Sequence, residues 1–375
     1  MNNTPKNPRR YSSDKKGYIR KEYDDVYSGN TNKHSGYVDI YSSERKRQRR
    51  KNRGSVLKVF YTLFFLILGT IGGLMIYAYR MLNSFNYQDL DTREDSTVMQ
   101  DDDGNDLIND KMILNIMLIG SDSMSVGDHG RSDSLLILSL DMRHKKIKVT
   151  SLMRDIWLKI PGHGQDRFNA AYAYGGPKLT IETIEKNFGI YIDRYAVVDF
   201  DGFSKIIDAL GGVDLELTSA ECSYINKYSG DRHTLKGSGM KHLTGLQALH
   251  YSRDRNSIGS DYDRTSRQRN VIRAVINKLK TANISQISNL VSKIGPMVTT
   301  DLKSAEISRL ATKATTYLSY PVEEFRLPTN DNVKSETIDQ KDVLVIPNME
   351  KAKRDLSNFI HESDIQKSQK ERKTS

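Results

Sequence analysis

Acids and arginines gather in four short stretches of this chain. The first, Leu118-Ile119-Gly120-Ser121-Asp122-Ser123, ends an apolar run with a glycine, an acid and two hydroxyls. The second, Gly130-Arg131-Ser132-Asp133, stands directly before the next apolar run. The third is the pair Arg154-Asp155. The fourth begins with YSRDR at 251–255 and continues with DYDR at 261–264 and RQR at 267–269. If the two apolar runs are antiparallel strands, Asp122 and Asp133 come together at one end. Two carboxylates with open positions suit Mg2+, which usually takes one or two acids plus substrate phosphate oxygens. Loop acids capping turns are the other reading of the same spacing.

Between residues 253 and 273 stand six arginines, Arg253, Arg255, Arg264, Arg267, Arg269 and Arg273, with no lysine and no glutamate among them. Arg264 and Arg267 are three apart and share a face if the segment is helical. Arg253 and Arg255 alternate, so on an extended segment they point the same way. Guanidinium groups grip phosphate oxygens in a planar fork and never lose their charge. A solvated basic helix face is the plainer reading, but such a face usually mixes in lysine and pairs it with glutamate. A ligand with two or three negative charges accounts better for the bias. His129, His163, His233, His242 and His250 show no metal-ligand spacing. A GxxxxGK[ST] phosphate loop is absent, so ATP use has no support. The single cysteine, Cys222, reads as a small buried apolar residue.

These residues need a scaffold. Apolar runs at 113–119, 135–140, 147–152, 195–200 and 213–217 read as strands, with 323–327 and 343–346 as further edge strands. Helical patterns cover 178–188, 202–210, 244–251, 264–282, 284–298 and 304–318. The alternation predicts an α/β fold, an α-β-α sandwich around a central mixed sheet. Residues 112–348 form the expected catalytic domain. Residues 80–111 are expected to be a polar linker, and 349–375 a charged C-terminal tail exposed to solvent.

Charge distribution places the chain. The first 58 residues carry 16 Lys/Arg against 6 Asp/Glu, which is the whole formal excess of +10. They are expected to be a disordered basic tail. Residues 59–79 then run without a charge. In a helix they would extend about 30 Å, enough to cross a bilayer. Positive charge on the N-terminal side predicts a type II, single-pass arrangement at the cell membrane, tail in the cytoplasm and domain outside. The basic excess is thus assigned to topology and membrane lipid, and no nucleic-acid partner is expected.

Taken in order, the stretches 118–122 (LIGSD), 130–133 (GRSD), 154–155 (RD), 168–177 (FNAAYAYGGP), 198–203 (VDFDGF), 208–213 (DALGGV), 243–255 (LTGLQALHYSRDR) and 261–268 (DYDRTSRQ) resemble the LytR–CpsA–Psr family of bacterial envelope proteins. The resemblance implies an external α/β domain with an apolar cleft for the tail of a polyprenyl-pyrophosphate-linked glycan. It implies transfer of the glycan phosphate to a peptidoglycan hydroxyl, with Mg2+ on the pyrophosphate, in an organism that is expected to be Gram-positive. By position, it makes Asp122 and Asp133 the metal acids. Arg154, Arg253, Arg255, Arg264 and Arg267 match the pyrophosphate-binding arginines, with Gln268 beside them and Arg131 as a further carry-over. Met124 stands where many members have arginine. A lipid-pyrophosphate phosphatase and a non-catalytic envelope regulator are the alternative expectations.

Overall fold

A computed structural model describes residues 18–21, 36–39, 85–90, 100–122, 130–230, 234–254 and 261–362, apart from the side chains of 18–21, 36–39, 261 and 284. The expected span at 59–79 lies outside them. Among the described residues no helix is long and apolar enough to cross a membrane. The chain divides into Met1–Tyr77 and Ala78–Ser375. In the first unit, β1 (Tyr18–Lys21) pairs antiparallel with β2 (Gly36–Asp39). A tail without regular structure was expected there. Tyr18, Ile19, Tyr37 and Val38 supply the local β preference that a composition argument averages away.

The second unit holds strands β3 (Asn86–Tyr87), β4 (Ile113–Ser121), β5 (Ser132–Asp141), β6 (Lys146–Leu152), β7 (Trp157–Ile160) and β8 (Gly164–Arg167). After them come β9 (Arg194–Asp199), β10 (Val213–Leu217), β11 (Gly239–Leu243), β12 (Thr299–Thr300), β13 (Val322–Leu327), β14 (Lys334–Ile338) and β15 (Lys341–Val345). Its helices are α1 (Phe168–Phe188), α2 (Phe200–Ala209), α3 (Ser219–Ser229), α4 (Gly245–Arg253) and α5 (Asp261–Lys280). They continue with α6 (Ile284–Ile294), α7 (Ser304–Thr312), α8 (Ala314–Leu318) and α9 (Met349–His361).

The central sheet is mixed, in the order β13-β6-β5-β4-β9-β12-β3. β5 runs antiparallel to β4 and β6, while β9 lies parallel to β4 and β13 parallel to β6. Alternate residues of β5 serve opposite faces, as strand geometry requires. Leu135 and Ile137 join the cluster that includes Phe168, Ile181 and Phe188 of α1 and Leu356 of α9. Leu136, Leu138 and Leu140 pack on the other side with Ile272 and Ile276 of α5. The sheet is therefore covered on both faces, as expected. A separate apolar cluster joins α2 (Ile207), α3 (Cys222, Ile225), α4 (Ala248, Tyr251) and α5 (Val271) with the antiparallel pair β10–β11.

Three expectations need correction. Residues 349–361 do not lie free. They form α9, which buries Ala352, Leu356 and Ile360 at four-residue spacing beneath its charged flanks. The expected linker is partly packed, because Leu90, Asp101 and Leu107 are buried and β3 adds to the sheet edge through β12. α1 begins ten residues before the predicted 178, since Gly175 and Gly176 kink it rather than end it.

Candidate active site

The site starts where β4 and β5 end. Ser121 faces Ser132 and Gly120 faces Ser134, so Asp133 is an extra residue on β5. A bulge of this kind turns its side chain out of the strand's ordinary alternation. Gly120 permits the close pairing, because a Cβ there would sit 3.0 Å from that of Ser134. One residue beyond the ladder, the Asp122 amide donates to the Arg131 carbonyl at 3.2 Å. The Arg131 amide donates to Asp122 Oδ1 at 2.7 Å. Asp122 and Asp133 thus occupy adjoining strand ends, as the antiparallel reading required. Tyr172 is buried behind them; burial first, and also the charge of Asp122, push its phenol up.

Arginines converge on Asp133. Arg154, after β6, donates from Nη1 to Asp133 Oδ1 at 2.7 Å and from Nε to Asp155 Oδ2 at 3.2 Å. Arg264, buried near the start of α5, donates from Nη2 to the Asp133 carbonyl at 2.7 Å. Gln268, one turn on, approaches the same carbonyl at 3.4 Å. Arg253 ends α4 and is exposed, with its guanidinium 4.1 Å from the centroid of the Phe200 ring. That contact is a cation–π arrangement which holds the charge without neutralising it. Burial, and then the Arg253 charge, hold the His250 imidazole below its usual value.

Behind this charged mouth opens a cavity of about 630 Å³. Its wall is the sheet on one side, with Leu118, Leu136 and Val198, and the helices on the other, with Phe203, Leu249 and Val275. Asp133, Arg253, Arg264 and Gln268 line the same cavity. It is an apolar sac with a cationic and carboxylate rim. Tyr224 and Tyr228 of α3 also line it and carried no motif signal; they belong to a helix that the sequence reading did not identify.

Not every expected residue is at the mouth. Arg267 is buried away from the cavity wall, with Nε 2.9 Å from Glu221 Oε1 and Nη1 2.9 Å from the Asp254 carbonyl. It ties α5 to α3 and to the residue that follows Arg253. Burial raises the Glu221 carboxyl, but hydrogen bonds from the Thr218 backbone and Arg267 outweigh burial and hold it below the usual range. Arg253 is helical, not extended, because α4 runs to it from a Thr244–Gln247 capping box. Arg255 and Met124 lie outside the described residues. Arg269 and Arg273 both pair with Glu324 on β13, an acid from far along the chain.

Two other groups are structural. Cys222 is a free, buried thiol whose pKa burial pushes up. Among the described residues one trio, Asp141, His144 and Glu362, is close enough to hold a metal. The Lys148 ammonium already sits there, 2.7 Å from Asp141 Oδ2 and 3.1 Å from Glu362 Oε1.

A model of the LytR_cpsA_psr family matches residues 75–356. The polyisoprenyl-teichoic acid–peptidoglycan teichoic acid transferase TagU of Oceanobacillus iheyensis is 31% identical over 290 residues, which is 73% of this chain and 85% of that protein. The solved structure of TagT bound to LI-WTA superposes with a TM-score of 0.56 at 27% identity, over 67% of this chain and 92% of that one. TagT with bound octaprenyl pyrophosphate lipid superposes with a TM-score of 0.53 at 25% identity, over 67% and 91%.

Proposed function

The chain belongs to the LytR–CpsA–Psr family, and on that premise we propose that it transfers an anionic glycopolymer, such as a wall teichoic acid, from a polyprenyl-pyrophosphate carrier to peptidoglycan. The observation that carries the reading is the apolar cavity ending at Asp133, Arg253 and Arg264. A polyprenyl tail needs an apolar sac, and a pyrophosphate needs fixed cations at its mouth. Relatives named as teichoic acid transferases and the lipid-bound TagT support the substrate class.

Phosphoryl transfer asks a protein mainly for positioning and for neutralisation of charge on the phosphate oxygens. Arg253 and Arg264 supply fixed charge at the rim, and Arg154 holds the Asp133 carboxylate in place. The acceptor hydroxyl attacks the phosphorus next to the sugar. A new phosphorus–oxygen bond forms, the pyrophosphate bridge breaks, polyprenyl phosphate leaves with the bridging electron pair, and the hydroxyl proton passes to solvent. The carrier already holds the energy, so no nucleotide is needed.

The donor set also fits Mg2+. Asp122 and Asp133 offer hard carboxylate oxygens at adjoining strand ends, within one register step of each other. When bound there, the ion would neutralise charge on the pyrophosphate oxygens. Residues 59–79 are proposed to anchor the domain outside the cell membrane, beside a substrate confined to the same bilayer.

The test uses the full chain in detergent with Mg2+, a lipid-pyrophosphate oligosaccharide and a peptidoglycan oligomer. A phosphodiester-linked product is expected, and Asp122→Ala should lower its rate by about a hundredfold or more. Glycan phosphate released to water at the same rate with or without acceptor would make the protein a phosphatase instead. Full activity in Asp122→Ala would overturn the metal assignment.

A further inference from the structure

A stacked pair of rings, His163 and Tyr174, lies outside the cavity. The β7–β8 hairpin turns through Gly162 and Gly164, both at positive φ (76° and 75°), and carries His163 at its tip. The His163 ring stacks on Tyr174 with centroids 4.6 Å apart and planes 10° apart. Tyr174 is 47% exposed, and His163 is exposed too. Tyr174 stands immediately before the Gly175–Gly176 kink of α1.

The stack is held from below. Asp166 is buried, and its Oδ2 accepts from the Tyr174 hydroxyl at 2.7 Å. Its Oδ1 accepts from Lys341 Nζ and from the Arg167 amide, each at 2.7 Å. A buried carboxylate with three donors does not serve solvation of a loop. It fixes a ring that the hydrophobic core does not use.

The surface is continuous with the reaction centre. Arg167 follows Asp166, and its Nε lies 3.8 Å from Asp155 Oδ1. Asp155 receives Arg154, and Arg154 holds Asp133. The charge of Arg131 also reaches Tyr174, where it opposes the Asp166 hydrogen bond that raises the phenol. So the hairpin is linked to the carboxylate–arginine line through Arg167 and Asp155, and neither His163 nor Tyr174 lines the apolar sac.

We propose that the His163–Tyr174 stack is the acceptor platform, on which a pyranose ring of a peptidoglycan glycan chain lies flat. A pyranose offers a face of C–H groups to an aromatic ring, while its hydroxyl and acetamido groups reach neighbouring donors such as Lys341. The donor's tail and pyrophosphate are assigned to the sac and its rim, which His163 and Tyr174 do not line, so the stack is left for the acceptor. This proposal rests on the transferase reading, and the experiment separates the two.

Trp157 is the sole tryptophan, and it lies on β7 of the same hairpin. Titrating the full chain in detergent with an N-acetylglucosamine oligosaccharide should change Trp157 fluorescence without any turnover. Tyr174→Ala should weaken that binding about tenfold, and Tyr174→Phe, which keeps the ring, should recover most of it. In the transfer assay, Tyr174→Ala should raise the KM for acceptor about tenfold and leave the KM for the lipid-linked donor unchanged. Saccharide binding lost in Tyr174→Ala supports the platform even if no product ever forms. Transfer with an unaltered acceptor KM in Tyr174→Ala overturns it and leaves the transferase reading standing. Competition by free stem peptide, with no effect of the saccharide, overturns it in favour of a peptide-binding surface.

Discussion

At Asp133 the carboxylate accepts from Arg154 and lies 4.0 Å from Arg264 Nη2, while the backbone carbonyl accepts from Arg264 and Gln268. Replacing the side chain therefore leaves the carbonyl contacts intact. Asp133→Asn is expected to lower transfer by about a hundredfold. The affinity for a polyprenyl pyrophosphate, measured by equilibrium binding, should fall far less than the rate. Arg267 has another role. Its guanidinium is buried against Glu221, and removing one partner leaves a buried charge alone. Arg267→Ala should cost about 3 kcal/mol in denaturant unfolding, with donor KM in the surviving folded protein little changed. A large donor KM change with normal stability would return Arg267 to the ligand wall. Sequence spacing rightly put Arg264 and Arg267 on one helix, but it could not say which neighbours that helix would meet. The carboxylate partners of Arg267, Arg269 and Arg273 are Glu221 and Glu324, some 46 to 55 residues away.

Helices and strands differed in how openly they were written. β4, β5 and β6 were legible because uninterrupted apolar runs mark strands buried on both faces. α9 was hidden because its buried positions, Ala352, Leu356 and Ile360, are spaced among lysines and acids. A composition argument sees the charge, whereas the core sees the stripe. Leu356 is fully buried, so Leu356→Ala should destabilise the domain by about 2–5 kcal/mol, read from the denaturation midpoint at constant m-value. An unchanged midpoint would mean that α9 adds nothing to the fold. The first half of α1 was missed for a related reason. Gly-Gly-Pro reads as a loop, yet the helix resumes after a kink and leaves Tyr174 at the break. Local punctuation cannot tell a kink from an end when tertiary packing holds both sides.

Across the whole domain, acid should act first where α9 meets the sheet. Burial pushes His361 from 6.5 down to about 4. The unfolded chain takes up that proton as pH falls below about 6.5, and the folded chain does so only near 4, so stability declines across this window. The loss is on the order of 3 kcal/mol. Burial raises Asp141, but hydrogen bonds from the His144 backbone and Lys148 outweigh it and hold it low. Its contribution is lost further into the acid range. Denaturation of the full chain from pH 7 to 4 should show the decline, and His361→Gln should flatten it; an equal slope in both would place the sensitivity elsewhere. A copy bearing Asp133→Asn would still swallow the carrier's tail and would rarely let it go. Made in excess inside a living cell, it should act as a sink and slow growth even beside an intact gene. Adding Val198→Trp to block the sac should relieve the toxicity, and a toxic double variant would show that sequestration is not the cause.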